Sequence, residues 1–482
     1  MRNVVIAILL FFYINIYSQD NNGYLKDLEI YKEIVETSHT GMYLYTSKTE
    51  FDSLFSDAEN KIRENKISDT RQFYLLMAKL HTKLRCGHSN MFPSEQVFAG
   101  IDSSSQVFFP CKVKFIKDTL IIAEDYKKLK KGTQILSINN KSIKELTDDF
   151  FQIISSDGYN TTFKYHELDN EFSEKYYLMY GKSEQFVLKI KPYQSNNISE
   201  ITIDAVKGRD IPYENEEENK PPVNLEFLDD STALLTVRTF ETGSKKNQKK
   251  FFKFLNSSFK EIREKNISTL ILDIRENGGG DDGNDMELAS YLINKDFKED
   301  KYRKLNTIDL PLYPEYLHPV WYQMMGVPKN KSADALKARM KKELLKEFYK
   351  ADDNYYYFKE EAIIKREAQE YLFSGKTYIL ISGNVFSGGA LFSALVRDKS
   401  NAIFVGEETG GGYYRHTGSI PLIYELPNSK IIFSIFLVIN EQDVEQKLFP
   451  DGRGTIPQIE KYQTIKDFVE GKDAVLYFVR NL

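Results

Sequence analysis

Hydrophobic and polar residues follow three successive patterns along this chain, and each pattern predicts a different kind of structure. Between Leu25 and His88 the apolar residues recur at helical intervals, which is typical of amphipathic helices. From about Val107 short apolar runs are bounded by turn residues, as in Thr119–Ala123, which favours strands. Beyond Val223, strand and helix patterns alternate, which indicates a sheet covered by helices.

The region beyond Val223 contains the predicted elements that can position catalytic residues. Its predicted strands are Ser231–Val237, Leu270–Ile274, Thr377–Ser382 and Ala402–Val405, and its predicted helices are Lys246–Lys265, Met286–Leu292 and Gly388–Arg397. The alternation is interrupted between residues 296 and 372, a Tyr-rich stretch with a charged helical pattern, Ala333–Tyr349. We interpret this stretch as an insertion, which either borders the substrate path or simply carries a solvated helix.

These patterns give a multidomain α+β prediction with stated boundaries. We expect a helical amino-terminal region at 19–104, a β-rich domain at 105–206, a charged, proline-containing linker at 207–222, and an α/β domain at 223–482 with the insertion at 296–372. A chain of 482 residues is too long for one core, so several domains are expected.

The amino terminus resembles a secretory signal peptide. Arg2 supplies a positive start, residues 4–16 are apolar apart from Asn15, and Ser18 is a small residue suited to cleavage. We therefore expect residues 1–18 to be removed and the protein to be exported, to the periplasm or to the cell surface or medium of a bacterium. The apolar run is too short for stable membrane insertion.

Charge and cysteine content narrow the function classes. With 65 Lys and Arg against 70 Asp and Glu, the net charge is −5, so no basic footprint for nucleic acid is present. The two cysteines, Cys86 and Cys111, exclude a disulfide-rich scaffold, and either one bridge or two buried thiols fit the sequence.

One segment is shaped for nucleophilic chemistry. The predicted strand Thr377–Ser382 leads through a short polar turn to Ser387, which is followed by Gly388, Gly389 and an apolar helix. A hydroxyl at a helix start, beside backbone N–H groups without side chains, suits a nucleophile with an oxyanion site. The alternative is that Ser387 only caps the helix, a common role for serine.

Two further glycine clusters, residues 278–283 and 406–412, do not fit the usual ligand loops. Gly278, Gly280 and Gly283 match the dinucleotide pattern formally, but three polar residues separate them from the preceding strand. The nearby aspartates do not have EF-hand spacing. The Gly-Lys-Ser/Thr of a phosphate loop is absent, and Val385 stands where a lipase elbow needs glycine.

Taken together, three ordered motifs resemble the S41 serine peptidases, the family of the C-terminal processing proteases and the tricorn core protease. The motifs are Asp273–Gly280, Asn384–Ala390 and Gly406–Gly412. The segment Leu84–Ser89 is similar to the Asp-Gly-His-Thr segment of that family, with Cys86 in place of the aspartate, and Lys131–Ile143 is similar to a signature of its PDZ-like domain. The resemblance implies a PDZ-like domain at 105–206 and an S41-type (crotonase-like, ββα) α/β catalytic domain.

The resemblance also implies site residues. Ser387 corresponds to the nucleophile, and the N–H groups of Gly279 and Gly388 correspond to the oxyanion hole. Between Lys399 and Lys430 there is no lysine to serve as the base of a Ser–Lys dyad, so the tricorn-like histidine is expected, and His88 matches it.

Other assignments stay open at this stage. His416 is the rival base, Glu445 is the first candidate for the orienting acid and Asp443 the second, and Ser89 is a candidate for the orienting serine. No metal or organic cofactor is implied, and the expected partner is a protein or peptide substrate. The alternatives are a non-catalytic peptide- or ligand-binding protein of the same fold and a serine esterase. The oligomeric state is left undetermined.

Overall fold

The structure is a computed structural model that describes residues 21–98, 101, 104–211, 220–329 and 332–482. Its α-helices are α1 (21–38), α2 (Lys48–Arg63), α3 (Thr70–His81), α4 (Ile143–Phe150), α5 (Thr162–Tyr180), α6 (Lys245–Glu264), α7 (Asn284–Ala289), α8 (Pro319–Met324), α9 (Ala333–Glu347), α10 (Gly388–Lys399), α11 (Ile465–Val469) and α12 (Ala474–Arg480). No helix within these ranges is long and apolar enough to cross a membrane.

Strands occur both between these helices and in consecutive runs. They are β1 (Met91–Phe92), β2 (Gln106–Phe108), β3 (Val113–Ile116), β4 (Thr119–Ile122), β5 (Gln134–Ile138), β6 (Lys141–Ser142), β7 (Gln185–Lys191), β8 (Ser199–Asp204), β9 (Val206–Lys207), β10 (Val223–Phe227), β11 (Thr232–Val237), β12 (Thr269–Asp273), β13 (Phe297–Lys298), β14 (Asp300–Leu305), β15 (Phe348–Lys350), β16 (Tyr356–Phe358), β17 (Lys365–Arg366), β18 (Lys376–Ile381), β19 (Ile403–Gly406), β20 (Arg415–Glu425), β21 (Ile432–Gln442) and β22 (Ile459–Glu460).

The chain divides into two compact units. Unit 1 comprises residues 1–101, 304–359 and 417–439, and unit 2 comprises residues 102–303, 360–416 and 440–482. Most of the predicted insertion therefore belongs to unit 1, together with the helical amino-terminal region. The predicted signal peptide, 1–18, lies outside the described residues, as does the 212–219 part of the predicted linker.

Unit 1 is built on the predicted amino-terminal helices. The helical prediction for residues 25–88 is confirmed by α1, α2 and α3. Tyr31 of α1 packs edge-on against Phe433 of β21, with ring centroids 5.1 Å apart, and Tyr424 of β20 stacks on the same ring at 5.4 Å. The unit is thus held by aromatic contacts between segments far apart in sequence.

Unit 2 begins with what we call the β3–β8 lobe, residues 106–207. Its antiparallel sheet has the order β3-β4-β5-β7-β8, with β6 paired to β5. Helices α4 and α5 supply Phe150 and Phe172 to a core that also contains Phe109 and Phe186 of the strand side. The strands predicted from the apolar runs after Val107 are confirmed.

The larger sheet of unit 2 has the order β10-β11-β12-β18-β19-β22. Apart from antiparallel β10, its strands are parallel. Strands β11, β12, β18 and β19 are buried on both faces. One face packs on α6, α7 and α10, and the other packs on Val475 and Val479 of α12. Two-sided burial explains why β12 and β18 are continuous apolar runs in the sequence.

This topology brings the three glycine-containing motifs together. Strands β12, β18 and β19 are parallel neighbours, and Asp273 of β12 is in register with Leu380 of β18. One motif follows each strand, so all three leave the sheet at its carboxyl edge, where open α/β sheets bind their ligands.

Candidate active site

Ser387 stands at the end of a tight turn between β18 and α10. Ser382 organises this turn, since its hydroxyl donates to the carbonyl of Arg275 at 2.6 Å and accepts from the N–H of Asn384 at 3.1 Å. The N–H of Val385 bonds to the carbonyl of Ser382 at 3.1 Å. The turn is thereby fixed both internally and to the loop after β12.

The Ser387 side chain does not cap the helix that it precedes. It occupies the N-cap position of α10 without a capping hydrogen bond from its side chain. Its backbone has φ 51° and ψ −125°, which is unfavourable for any residue except glycine. Such a conformation costs on the order of 1–3 kcal/mol and is found mainly at functional sites. A purely structural N-cap is therefore a poor description of Ser387.

The glycine loop after β12 lies directly against Ser387. A Cβ atom added to Gly279 would lie 2.7 Å from the Cβ of Ser387 and 2.8 Å from the nitrogen of Gly388. The φ of Gly279 is 102°, a backbone conformation that residues with a side chain rarely adopt. The sequence-predicted residues Gly279, Ser387 and Gly388 are thus brought together, and the approach requires glycine.

Asn277, to which the sequence pattern gave no role, joins this loop to the Ser387 turn. Its side chain is fully buried. Its backbone carbonyl accepts from the N–H of Phe386 at 3.1 Å, its Oδ1 accepts from the N–H of Gly279 at 2.9 Å, and its Nδ2 donates to Val237 at 3.2 Å. Asn277 was visible within the glycine motif, but nothing local indicated which way its side chain points.

The two expected oxyanion donors, the N–H groups of Gly279 and Gly388, differ in their hydrogen bonding. The N–H of Gly279 is engaged by Asn277 Oδ1, as described above. Gly388 is the first residue of α10, and N–H groups of a first helical turn have no acceptor within the helix. The positive end of the α10 dipole adds to the attraction that this position offers an oxyanion.

The third glycine cluster lies on the other side of the same turn. The N–H of Gly411 bonds to the carbonyl of Val385 at 3.1 Å. A Cβ atom on Gly411 would lie 3.3 Å from the nitrogen of Ser387 and 2.5 Å from the Cβ of Ala390. The Ser387 turn is therefore held between the two glycine loops.

Ionisable groups of the 281–303 region are structural in ways that the sequence did not reveal. Asp281 Oδ2 accepts from the N–H groups of Thr242 and Gly243 at 2.9 and 3.0 Å, which joins the glycine loop to the segment before α6. Asp285 is 3% exposed, and burial, aided by the charges of Asp282 and Asp300, raises the pKa of its carboxyl to about 7. Glycine spacing pointed to this loop, but nothing in the sequence indicated that Asp285 is buried.

His416, the rival base, is held by two amide side chains. Its Nε2 lies 3.1 Å from Nδ2 of Asn440, and its Nδ1 lies 3.4 Å from Nε2 of Gln442. Gln442 also donates to the carbonyl of Gly412 at 3.0 Å, which fixes its amide group. Both ring nitrogens of His416 thus have amide neighbours, which favours a structural role.

His88 belongs to unit 1. Its ring packs against Phe436 with centroids 5.3 Å apart, and burial lowers the pKa of its imidazole to about 4. The imidazole is therefore neutral at pH 7 and has a lone pair to accept a proton. The hydroxyl of Ser89 accepts from the N–H of Phe436 at 3.3 Å.

Glu445 is not brought to Ser387. Its backbone N–H bonds to Asp398 at 3.1 Å, and Asp443 forms an ion pair of 3.3 Å with Lys399. Asp398 and Lys399 end α10, whereas Ser387 precedes it, and eleven residues of helix span roughly 16 Å. The geometry therefore gives no support to either residue as the orienting acid.

Cys86 and Cys111 are both buried, and neither forms a disulfide. Of the two sequence-based alternatives, the structure has the unbonded one. The Sγ of Cys86 lies 3.4 Å from the carbonyl of Thr417. Burial raises the pKa of the Cys111 thiol to about 12, so this group is a protonated, apolar core residue.

Comparisons with known proteins agree with the site. A profile of peptidase family S41 matches residues 231–459, which contain all three glycine motifs. The structure is similar to that of mature CPAF, with a TM-score of 0.61 at 15% identity over 93% of this chain and 94% of that one. It is also similar to mature CPAF complexed with lactacystin, with a TM-score of 0.62 at 14% identity over 96% of this chain and 99% of that one.

At such low identity the structural likeness concerns the fold, and a sequence search of curated proteins gave no match. The match to peptidase family S41 is confined to residues 231–459 and agrees with the strand-linked motifs. It supports a serine-type peptidase.

Proposed function

We propose that this protein is an exported serine endopeptidase in which Ser387 attacks the scissile carbonyl of a protein or peptide substrate. The observation that carries the proposal is the strained, uncapped Ser387 beside a glycine that leaves room for no side chain. A serine that only caps a helix does not need the strained backbone, with φ 51°, that Ser387 has.

In the proposed mechanism the developing oxyanion is stabilised at the start of α10. The N–H of Gly388 is the first donor, supported by the helix dipole. Gly279 supplies the second donor when its N–H turns from Asn277 Oδ1 towards the substrate. Catalytic hydrogen bonds often form fully only in the substrate complex.

His88 is proposed as the general base. Neutral imidazole takes the proton of the Ser387 hydroxyl as the Oγ–carbon bond forms, and it returns this proton to the leaving amine. Water then attacks the acyl-enzyme. His88 takes a proton from this water and returns it to the Ser387 oxygen as the acyl group is released. No orienting acid is assigned, because neither Glu445 nor Asp443 has geometric support for that role.

We also propose that the β3–β8 lobe is PDZ-like and that the larger sheet belongs to a crotonase-like ββα catalytic domain. Antiparallel strands β3–β8 with helices α4 and α5 are compatible with strand addition of an extended peptide. Fluorescent peptides with free and amidated carboxyl termini test this. Tighter binding of the free carboxylate is expected, and equal binding would exclude carboxylate capture.

The proposed export is tested separately from the chemistry. Residues 1–18 resemble a signal peptide, so expression of the whole chain in a bacterium should yield a periplasmic or extracellular product that starts near Gln19. Mass spectrometry of the amino terminus measures this. A full-length cytoplasmic product would contradict export but not peptidase activity.

The chemistry is tested with a fluorophosphonate probe and with unfolded casein. We expect wild type to be labelled and to cleave casein, Ser387→Ala and His88→Ala to do neither, and His416→Ala to retain activity. Activity in His88→Ala together with loss in His416→Ala would move the base to His416. Failure of wild type in both assays would favour a binding protein, and cleavage of small esters but not casein would favour an esterase.

Mature CPAF has been crystallised with lactacystin. We propose that lactacystin also occupies the Ser387 site of this protein. Prior incubation with lactacystin should then slow fluorophosphonate labelling. Unchanged labelling would contradict this proposal.

A further inference from the structure

The start of α5, in the β3–β8 lobe, is packed against the residue that precedes the proposed nucleophile. The ring of Phe163 stacks on the ring of Phe386, with centroids 5.3 Å apart and an interplanar angle of 29°. Phe386 is only 9% exposed, and its N–H is bonded to Asn277. Phe386 is thus fixed through its backbone by the glycine loop and through its ring by α5.

The residues at the start of α5 are also hydrogen-bonded to the third glycine cluster, residues 406–412. Nδ2 of Asn160 donates to the carbonyl of Thr409, and Oγ1 of Thr162 donates to the carbonyl of Glu408, both at 2.9 Å. Oδ1 of Asn160 accepts from the N–H of Phe163 at 3.0 Å. One buried amide therefore orients both the start of α5 and the loop beside Ser387.

Close backbone approaches complete this contact. The carboxylate of Asp157 accepts from the N–H of Gly412 at 3.3 Å. A Cβ atom on Gly410 would lie 3.0 Å from the Cβ of Phe163, and one on Gly158 would lie 2.2 Å from the carbonyl oxygen of Gly452. Residues 157–163 therefore pack closely against the third glycine cluster and against Gly452.

These contacts reach Ser387 by two short routes. One runs from Phe163 through Phe386, the neighbour of Ser387. The other runs through the third glycine cluster, in which the N–H of Gly411 bonds to Val385 at 3.1 Å. Because the φ of Ser387 is unfavourable, its conformation persists only while its surroundings hold it.

We propose that Phe163 is a positioning residue for Ser387, through which the β3–β8 lobe controls the reactivity of the catalytic turn. The proposal rests on the proposed role of Ser387 as nucleophile. Loss of the Phe163 ring would let Phe386 and the turn relax, and a displacement of about 1 Å at a reacting group can reduce the rate by up to two orders of magnitude.

The test compares Phe163→Ala with Tyr165→Ala in the full chain. Tyr165 lies on the same helix, but its ring packs inside the lobe, 5.1 Å from Phe115 and 5.0 Å from Phe151. Phe163→Ala removes the aromatic contact with Phe386, whereas Tyr165→Ala removes two aromatic contacts inside the lobe and none with Phe386. Phe163→Tyr retains the stacked ring and serves as the rescue variant.

The first readout is the rate constant for fluorophosphonate labelling at Ser387, measured beside Tm. We expect Phe163→Ala to be labelled roughly tenfold more slowly or worse, while Tyr165→Ala and Phe163→Tyr are labelled close to the wild-type rate. Equal labelling of Phe163→Ala and wild type would overturn the proposal. So would equal slowing in both alanine variants, since this would reflect a loosened lobe.

The second readout is amide hydrogen exchange over residues 384–391, which does not depend on chemistry at Ser387. Faster exchange there in Phe163→Ala than in Tyr165→Ala supports the positioning role, and equal exchange contradicts it. If the wild-type protein takes up no probe, the proposal that Ser387 is a nucleophile fails, and Phe163 then has no role in catalysis. Exchange would then still decide whether Phe163 fixes this turn.

Discussion

The backbone carbonyl of Asn277 accepts a hydrogen bond of 3.1 Å from the N–H of Phe386, the residue directly before Ser387. Two loops that follow different parallel strands are joined by this bond at the point where the chemistry is proposed. The Asn277 side chain extends the connection to Gly279 and to Val237. The position of the serine relative to the glycine loop is therefore fixed by main-chain atoms and one buried amide.

Substitution of this amide should affect both stability and reactivity. Asn277→Ala leaves the N–H of Gly279 and the carbonyl of Val237 without their partner, at a cost of about 1–3 kcal/mol per buried unsatisfied group. We expect urea denaturation to show a loss of roughly 2 kcal/mol or more, with slower fluorophosphonate labelling.

Asn384→Ala is the matched control, since its side chain is exposed in the neighbouring turn. A stability change within about 0.5 kcal/mol is expected for such a surface position. If both variants lost the same stability, the Asn277 hydrogen bonds would not be the cause.

The glycine loop offers a second matched pair. Gly279→Ala places a Cβ atom 2.7 Å from the Cβ of Ser387 and has to adopt φ 102°, so we expect loss of labelling and a lowered Tm. A Cβ atom on Gly278 meets nothing within 4 Å. Gly278→Ala should therefore be folded and labelled. Retained labelling in Gly279→Ala would contradict this expectation, because the loop would then have room for the added Cβ atom.

The backbone of Ser387 predicts an unusual order of stabilities. Ser387→Ala removes no capping bond, so we expect an inactive protein of nearly unchanged stability, whereas Ser387→Gly relieves the strain at φ 51° and should be more stable by about 1 kcal/mol. Ser244 caps α6 by accepting from the N–H of Asn247. Ser244→Ala should therefore lose about 1 kcal/mol. Denaturant unfolding measures all three, and a loss in Ser387→Ala as large as that in Ser244→Ala would indicate a cap.

Asp285 predicts a pH dependence of stability. Burial raises its folded pKa to about 7, whereas an aspartate of the unfolded chain titrates near 4. As pH rises through this window the unfolded state loses its proton first, so the wild-type protein loses stability and does not regain it above pH 7.

Asp285→Asn removes this titration. The variant should be more stable than wild type at pH 8 by roughly 1 kcal/mol or more, and the difference should shrink towards pH 4. Thermal unfolding across this range measures it. Asp230→Asn, in the turn between β10 and β11, is the exposed control. A pH-independent difference for Asp285→Asn would contradict the buried-acid explanation.

The sequence by itself determined the elements that carry the site, because their signals are local. The predicted helix Gly388–Arg397 corresponds to α10 at Gly388–Lys399, and the predicted strand Thr377–Ser382 corresponds to β18 at Lys376–Ile381. Apolar runs buried on both faces and glycines that admit no side chain leave their pattern in the order of residues alone. The three motifs and the resemblance to peptidase family S41 followed from these positions.

Helix ends were less well determined. The predicted helix Met286–Leu292 is α7 at Asn284–Ala289, and the predicted Ala333–Tyr349 is α9 at Ala333–Glu347, where β15 begins at Phe348. Periodicity continues through these boundaries, but pairing of β15 with β16 overrides it. Strand pairing therefore decided where α9 ends.

Only the tertiary structure decided which distant side chains meet. Glu445 was chosen by its place in the sequence, yet it lies by Asp398 at the far end of α10. The Phe163 ring meets Phe386 across more than two hundred residues, and Asp285 is buried because α7 packs into the core. Such contacts depend on how helices and loops are arranged around the sheet, and no periodicity of the chain encodes that arrangement.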